Sequence, residues 1–306
     1  MVTAPETETF QQTFRDMCRA LEPSQGDQTV FVARQLLMRA SGKPATELLR
    51  DMRQPMPPHL DKKLARMVYQ ILQGEPLAYV LGQWDFYGMT FLVTHDTLIP
   101  RDDTVPVVEL AVKRLKLYPQ KRPRVLDLCC GTGCIGIALA SQVADARVTC
   151  GDLSMDALAV CKRNIQRLGF AGRVSALQMD ARREPDSFFG QYDMIVSNPP
   201  YVTDAEMAEL EPSVRDWEPA LALRGGADGL DFYRTILAHY TGRVYPGGYI
   251  AFEFGRGQGP AVEALLTAAG WIVEQWADDN GGIQRAVIAR RGEPERDEFG
   301  NIIPHG

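Results

Sequence analysis

The strongest constraint on the fold is a regular alternation of short apolar runs and helical patterns from residue 124 onward. The runs predicted as strands are Arg124–Leu128, Arg147–Cys150, Val174–Gln178, Tyr192–Ser197, Tyr249–Phe254, Trp271–Trp276 and Arg285–Ala289. The patterns predicted as helices are Cys134–Gln142, Asp156–Leu168, Leu230–Val244 and Pro260–Ala269. Strands separated by helices predict an α/β fold with a doubly wound, mainly parallel sheet of seven strands. A Gly-rich loop separates the last two strands and predicts an antiparallel pair at one edge.

The first 82 residues predict a separate helical bundle. Apolar residues recur there at helical spacing, and Pro- and Gly-containing turns separate the segments. Residues 83–98 predict a β-hairpin linker that turns at Tyr87-Gly88. Residues 99–290 would form the catalytic domain, in which Asp102 or Asp103 caps a helix over Val107–Leu117. The charged end of the chain, 291–306, predicts a disordered tail.

Composition argues against several classes of protein. No apolar run approaches a membrane span of roughly 18 residues, and the N-terminus lacks signal-peptide features, so we expect a cytoplasmic protein. We also expect a monomer, although no sequence feature indicates the oligomeric state. The formal net charge of −6 argues against broad binding of nucleic acid. Six cysteines without a Cys-x-x-Cys pair and four scattered histidines predict no metal site.

A Gly-rich turn follows the first strand of the sheet. Gly131-x-Gly133-x-x-Gly136 allows a ligand to approach backbone N–H groups at a helix N-terminus. Asp152 ends the second strand, where its carboxylate can hold two ribose hydroxyls. A nicotinamide dinucleotide and S-adenosylmethionine both satisfy this pattern.

Three further features favour S-adenosylmethionine. Asp127 stands before a loop wider than a pyrophosphate turn needs, and a carboxylate there suits an ammonium and a sulfonium. Asp180 follows the third strand and can accept a hydrogen bond from an adenine amino group. The fourth strand ends in Asn198-Pro199-Pro200-Tyr201, at the same rim of the sheet.

The Asn-Pro-Pro-Tyr turn has the groups needed to receive a planar NH2. Asn198 offers a side-chain carbonyl, Pro199 a backbone carbonyl, and Tyr201 an aromatic face, while Pro200 fixes the backbone. No strong base is visible nearby, so the turn predicts catalysis by orientation of the amide nitrogen.

Several motifs together resemble one family. Asp127-Leu128-x-x-Gly131-Thr132-Gly133, Asp152 and the Asn-Pro-Pro-Tyr turn resemble class I S-adenosylmethionine-dependent methyltransferases that modify planar NH2 groups. The HemK-like protein-glutamine methyltransferases are more closely similar. Their motifs here are Gly74–Gly82, Leu98–Arg101, Asp216–Leu223, Gly225–Leu230 and Phe252-Glu253-x-Gly255.

The resemblance implies methyl transfer to the glutamine of the Gly-Gly-Gln motif in peptide chain release factors, leaving S-adenosylhomocysteine. It implies a methyltransferase sheet, substrate recognition by the helical bundle, and catalysis by Asn198, Pro199 and Tyr201 at an acceptor site completed by Pro200. The implied donor site consists of Asp127, Cys129, Cys130, Gly131, Thr132, Gly133, Asp152, Asp180, Ala181 and Asn198.

The chain departs from the family pattern at the adenine end. The family often has an aromatic residue after the acid, where this chain has Ala181, so Met179 or Phe189 is a candidate to cover the adenine. Three alternatives stay open: a ribosomal-protein glutamine methyltransferase, an adenine-N6 DNA methyltransferase, and a scaffold that binds partners without catalysis. The DNA enzyme would need base flipping and a basic face.

Overall fold

The structure is a computed structural model that describes residues 8–118 and 121–292. The described chain divides into two compact units. The first contains the residues up to 83 together with 212–217, and the second contains 84–211 and 218–292. Most of the predicted tail, from residue 293, lies outside the described residues, whereas Arg291 ends the last strand.

Eleven helices and nine strands are formed by the described residues. The helices are α1 Phe10–Gln25, α2 Thr29–Ser41, α3 Ala45–Asp51, α4 His59–Leu72, α5 Leu77–Leu81, α6 Val105–Leu117, α7 Cys134–Gln142, α8 Met155–Arg167, α9 Pro212–Arg215, α10 Asp231–Tyr240 and α11 Gly259–Ala268. The strands are β1 Gln83–Phe86, β2 Met89–Leu92, β3 Arg124–Leu128, β4 Arg147–Asp152, β5 Val174–Gln178, β6 Tyr192–Ser197, β7 Val244–Glu253, β8 Trp271–Asp278 and β9 Gln284–Arg291. Among the described helices, none has the length and apolarity to cross a bilayer.

The first unit is a bundle of amphipathic helices. α1 begins with a capping box, in which Thr9 accepts from the N–H of Gln12 and the Gln12 side chain accepts from the N–H of Thr9. Its buried stripe packs against α2 and α4, where Leu36 and Leu37 are fully buried. α2 ends at Gly42, which adopts the left-handed conformation that glycine favours.

The second unit contains the sheet, whose strand order is β5-β4-β3-β6-β7-β9-β8. β3 to β7 are parallel, and β9 runs antiparallel to both β7 and β8. The predicted doubly wound sheet of seven strands is therefore confirmed. The predicted turn at Tyr87-Gly88 joins β1 and β2, and both residues have positive φ, as a tight hairpin turn requires.

Successive side chains along each strand point to opposite faces of the sheet, and this creates two apolar layers. Val125 and Val196 point to a core covered by α6, α7 and α8, whereas Leu126 and Ile195 point to a core covered by α10 and α11. Because both faces are covered, β6 is buried along its whole length.

Two predicted details are wrong. α10 ends at Tyr240, and Val244 already belongs to β7. Pro246 and Gly247 are residues that normally end strands, so the sequence does not indicate this start of β7. The pairing register with β6 also shifts there. The acids also do not cap α6. They lie in a short 3₁₀ turn, Asp102–Thr104, that precedes α6, and the Asp103 carboxylate pairs with Arg285 at 3.1 Å.

Candidate functional site

The order of the strands places a crevice above β3 and β6. β4 and β5 lie on one side of β3, and the next strand of the chain, β6, lies on its other side. The order of the strands therefore reverses between β3 and β6, which flank the switch point of the sheet. Leu128 pairs with Ser197 at their carboxyl ends, and the Ser197 hydroxyl donates to the Leu128 carbonyl at 2.6 Å. The Gly-rich loop and the Asn-Pro-Pro-Tyr turn consequently start side by side.

A cavity of about 230 Å³ opens at this rim. Its walls come from the Gly-rich loop, the ends of β4, β5 and β6, and two segments far apart in the chain, 95–104 and 219–222. Nine predicted site residues line it: Cys129, Cys130, Gly131, Thr132, Asp152, Asp180, Ala181, Asn198 and Pro200. Four others do not: Asp127, Gly133, Pro199 and Tyr201.

Asp152 braces the Gly-rich loop from the end of β4. One carboxylate oxygen accepts from the N–H of Gly131 at 2.8 Å, and the other accepts from the N–H of Ser154 at 2.9 Å. Burial raises the pKa of Asp152, and these two hydrogen bonds oppose that rise. Each oxygen has a second lone pair, so the carboxylate can still accept hydrogen bonds from a ligand.

Asp127 lies under the loop. It is fully buried, and its Oδ2 accepts from the N–H of Gly136 at 2.8 Å at the start of α7. Burial holds the pKa of Asp127 well above its usual range, and its Oδ1 has no hydrogen-bond partner. Through this bond to Gly136, Asp127 therefore holds the Gly-rich segment in position at the start of α7.

Three thiols fill the space beneath the same loop. The sulfur atoms of Cys130, Cys150 and Cys161 all lie within 4.8 Å of one another. An alanine at Gly133 would place its Cβ 2.6 Å from the Cys161 sulfur, at a φ of +79°. Only glycine fits there. Cysteine spacing in the sequence gives no sign of this cluster, because its members come from three different elements.

The far end of the cavity has an acid, two apolar walls and an aromatic ring. Met179 and Ala181 flank Asp180, whose carboxylate accepts from the N–H of Arg182 at 2.9 Å. Phe189, one candidate for the missing aromatic, does not line the cavity. Phe232 on α10 does, and sequence reasoning missed it because it lies about fifty positions from Asp180.

The Asn-Pro-Pro-Tyr turn is held by three side-chain hydrogen bonds, one of which the Gln258 Nε2 donates to the Tyr201 carbonyl at 3.0 Å. The Asn198 Nδ2 donates to Thr104 Oγ1 at 3.3 Å, and the Tyr201 hydroxyl donates to Glu253 Oε1 at 3.3 Å. Burial raises the pKa of Tyr201, so its hydroxyl stays protonated. Thr104 is a second residue that sequence reasoning missed.

Glu253 ends β7 beside the turn and is almost completely buried. Burial raises the pKa of Glu253 to about 7, although the nearby hydroxyls of Thr104 and Tyr201 and the charge of Arg285 lower it. Its Oε2 has no hydrogen-bond partner. A buried carboxylate that ionises near neutrality is typical of a functional site.

This pKa predicts the pH dependence of stability. The folded state holds the Glu253 proton up to about pH 7, whereas the unfolded state releases it near 4.5. The protonated side chain therefore makes its full contribution to the free energy of unfolding below pH 4.5, and this contribution is lost as the pH rises through 7. The difference in pKa corresponds to about 3 kcal/mol. We expect Glu253→Gln to raise the free energy of unfolding at pH 8 by at most about that amount.

Urea unfolding of both proteins at pH 4.5 and at pH 8 measures this difference. Glu263→Gln, an exposed change on α11, is the matched control and should alter neither value. Equal stabilities of the wild type and Glu253→Gln at pH 8 would contradict the expectation.

Arg101 is also placed by a buried carboxylate. It forms an ion pair with Glu218, whose other oxygen accepts from the N–H of Ile99 at 3.1 Å. The Glu218 side chain is 1% exposed. This contact ties the cavity segment 95–104 to the segment that begins at Glu218.

The fold and the site together define a class I methyltransferase. The family model described as "Methyltransferase small domain" matches residues 108–211, and the one described as "PrmC N-terminal domain" matches residues 12–82. The chain is 36% identical to a release factor glutamine methyltransferase of Bradyrhizobium diazoefficiens, over 92% of this chain and 94% of that protein. It belongs to the release factor glutamine methyltransferase family.

A second relative agrees with this assignment, and one solved structure shares the fold. A release factor glutamine methyltransferase of Geobacter sulfurreducens is 37% identical over 84% of this chain and 88% of that protein. Among solved structures, the hMettl16 catalytic domain in complex with MAT2A 3'UTR hairpin 6 is similar with a TM-score of 0.54. It is 13% identical, with coverage of 83% of this chain and 91% of that one, which shows a shared fold alone.

Proposed function

We propose that this protein transfers a methyl group from S-adenosylmethionine to the side-chain amide nitrogen of the glutamine in the Gly-Gly-Gln motif of peptide chain release factors. The observation that carries the proposal is the position of Asn198. Its side chain lines the same cavity as the Gly-rich loop and Asp152, in a chain of this family.

The cavity has suitable partners for the ribose and the adenine of S-adenosylmethionine. Asp152 has free lone pairs for the two ribose hydroxyls, and Asp180 offers an acceptor for the adenine amino group. Gly131 and Thr132 bring backbone close to the ligand, and buried Asp127 acts through the loop it supports. When bound, S-adenosylmethionine supplies a methyl group on a positively charged sulfur and leaves as S-adenosylhomocysteine.

Phe232 takes the place of the aromatic residue that this chain lacks after Asp180. Its ring lines the cavity with Ala181 and Met179, and the Arg182 guanidinium lies 5.9 Å from the ring centroid. The small side chain of Ala181 leaves room for a ring contributed by α10.

Phe232→Ala is expected to raise the dissociation constant for S-adenosylmethionine about tenfold, because an aromatic contact of roughly 1 kcal/mol and its buried area are lost. Isothermal titration calorimetry measures this constant. Phe188→Ala, at a phenylalanine that is 84% exposed, should leave it unchanged. Unchanged affinity in Phe232→Ala would remove Phe232 from the adenine site.

The turn would activate the acceptor by orientation. An amide nitrogen is a poor nucleophile because its lone pair is delocalised into the carbonyl. The Asn198 Oδ1 and the Pro199 carbonyl would accept the two N–H hydrogens of the glutamine amide and turn the nitrogen toward the methyl group. These hydrogen bonds strengthen as positive charge develops on nitrogen, so they stabilise the transition state more than the ground state. Tyr201 and Pro200 would confine the amide plane.

Methyl-labelled S-adenosylmethionine tests the proposal directly. The protein is incubated in parallel with a release factor, its Gln→Ala variant in the Gly-Gly-Gln motif, ribosomal proteins and duplex DNA. Label on the release factor that disappears with the Gln→Ala variant is the expected result. Label on a ribosomal protein or on adenine in DNA instead would move the substrate and overturn the assignment.

A further inference from the structure

Three buried cysteines meet beneath the Gly-rich loop. Cys130 lies in the loop itself, Cys150 on β4 and Cys161 on α8. Their sulfur atoms all lie within 4.8 Å of one another, and all three are free cysteines. Cys130 is 6% exposed, and the other two have no exposed surface. The proposed methyl transfer uses none of the three thiols as a reacting group.

The glycines of the loop leave the space in which these sulfur atoms lie. A Cβ at Gly136 would stand 2.7 Å from the Cys150 sulfur, just as one at Gly133 would stand 2.6 Å from the Cys161 sulfur. Cys130 completes the triangle and also lines the cavity at the rim of the sheet. A small molecule in that cavity therefore has a way to the cluster at Cys130.

The geometry suits an ion that takes three sulfur ligands and no fourth ligand. Among the described residues, no further His, Cys, Asp or Glu brings a ligand atom within 4.8 Å of all three sulfurs. The Asp127 Oδ2, at 3.9 Å from the Cys150 sulfur, reaches one side of the cluster only. Bonds from such ions to thiolate sulfur are about 2.3 Å long, so three sulfurs that share one ion lie roughly 4 Å apart or closer. Structural zinc, by contrast, takes four ligands.

Burial determines the charge that the ion should carry. Three thiolates bring three negative charges into the protein interior, where an uncompensated charge is costly. A monovalent or divalent ion leaves part of this charge uncancelled, whereas a trivalent ion cancels it completely. Soft thiolate ligands also select soft ions. Trivalent arsenic combines these properties, because it is thiophilic and binds three sulfurs in a pyramid, with its lone pair in the fourth position.

We propose that Cys130, Cys150 and Cys161 form a binding site for trivalent arsenic, which arrives as neutral arsenous acid, As(OH)3. Three As–O bonds break and three As–S bonds form, and each hydroxide leaves as water with the proton of one thiol. Arsenic stays trivalent, no electrons are exchanged, and the product is neutral. This site does not depend on the acceptor of the methyl group.

Two measurements on the full chain with arsenite test the site without any methyl transfer. Native mass spectrometry counts the bound arsenic, and we expect one per chain with the loss of three hydrogens. X-ray absorption at the arsenic edge reports the bonded atoms, and we expect three sulfur neighbours and no oxygen. A parallel titration with zinc should show much weaker binding, because the cluster lacks a fourth ligand.

Substitutions identify the three thiols. In Cys130→Ser, Cys150→Ser and Cys161→Ser we expect the dissociation constant for arsenite to rise at least about 100-fold, since even residues outside the ligand set change metal affinity roughly 10- to 100-fold. Cys134→Ser, at a buried thiol outside the cluster, and Cys18→Ser, at a half-buried thiol on α1, are the controls. Both should bind arsenite as the wild type does.

Circular dichroism checks that each variant is folded, and the corresponding alanine variants replace any serine variant that is not. Fewer than three sulfur neighbours in the wild type would overturn the inference. So would folded variants of all three cluster cysteines with dissociation constants within about threefold of the wild type. Because the absorption spectrum needs neither a variant nor a release factor, failure of the proposed methyl transfer would leave this test unchanged.

Discussion

Replacing Asn198 by alanine is expected to lower kcat about 1000-fold and to change the affinity for S-adenosylmethionine less than about threefold. The variant loses the Oδ1 that would hold one N–H of the acceptor amide, and removal of one such transition-state hydrogen bond costs roughly 10²- to 10³-fold in rate. The loss of orientation adds to this effect. Within the described residues, Asn198 forms no hydrogen bond with the loop or with Asp152, so the proposed donor site should be little affected.

Single-turnover transfer of labelled methyl to a release factor measures this rate, and calorimetry measures the donor affinity. Asn280→Ala, an exposed change between β8 and β9, is the control and should behave as the wild type. Turnover of Asn198→Ala near the wild-type value would refute the orientation mechanism.

Replacing Asp152 by alanine should give the opposite kinetic pattern. We expect the dissociation constant for S-adenosylmethionine to rise about 100-fold, because two hydrogen bonds that the ribose hydroxyls would donate to a charged carboxylate are lost. The N–H groups of Gly131 and Ser154 also lose their acceptor, which loosens the loop. At saturating donor, kcat should fall less than about tenfold, since the acceptor turn is intact.

Calorimetry measures the donor affinity of Asp152→Ala, and single-turnover methyl transfer to a release factor measures its rate. Asp145→Ala removes an exposed carboxylate before β4 and serves as the control for the change in charge. A dissociation constant within about threefold of the wild type would show that Asp152 has no part in holding the donor.

Local sequence patterns predicted the sheet closely. The limits of β3, β5 and β6 agree with the predicted runs, because each is a compact apolar segment bounded by Gly, Pro or polar residues. Prediction was wrong where a strand contains Pro246 and Gly247, since those residues normally end strands. The antiparallel edge could be anticipated from the short Gly-rich loop between β8 and β9.

The site was predictable where it follows a strand directly. Asp152, Asp180 and Asn198 come at carboxyl ends of parallel strands, so topology alone brings them to one rim. Thr104, Phe232 and Glu253 reach the site from a turn, a helix and a strand whose positions depend on tertiary packing. Spacing along the chain holds no information about such contacts.

The pairing of β3 with β6 has a consequence for the geometry of the reaction. The donor loop follows Leu128 and the acceptor turn follows Ser197, and these two residues are register partners joined by a hydroxyl hydrogen bond. The loop and the turn therefore start about one interstrand spacing apart, roughly 4.8 Å, in a buried part of the sheet. A slip of one residue in this register would displace the acceptor by about 3.3 Å and turn its side chains to the opposite face. The backbone of the sheet thus sets how close together the Gly-rich loop and the Asn-Pro-Pro-Tyr turn begin.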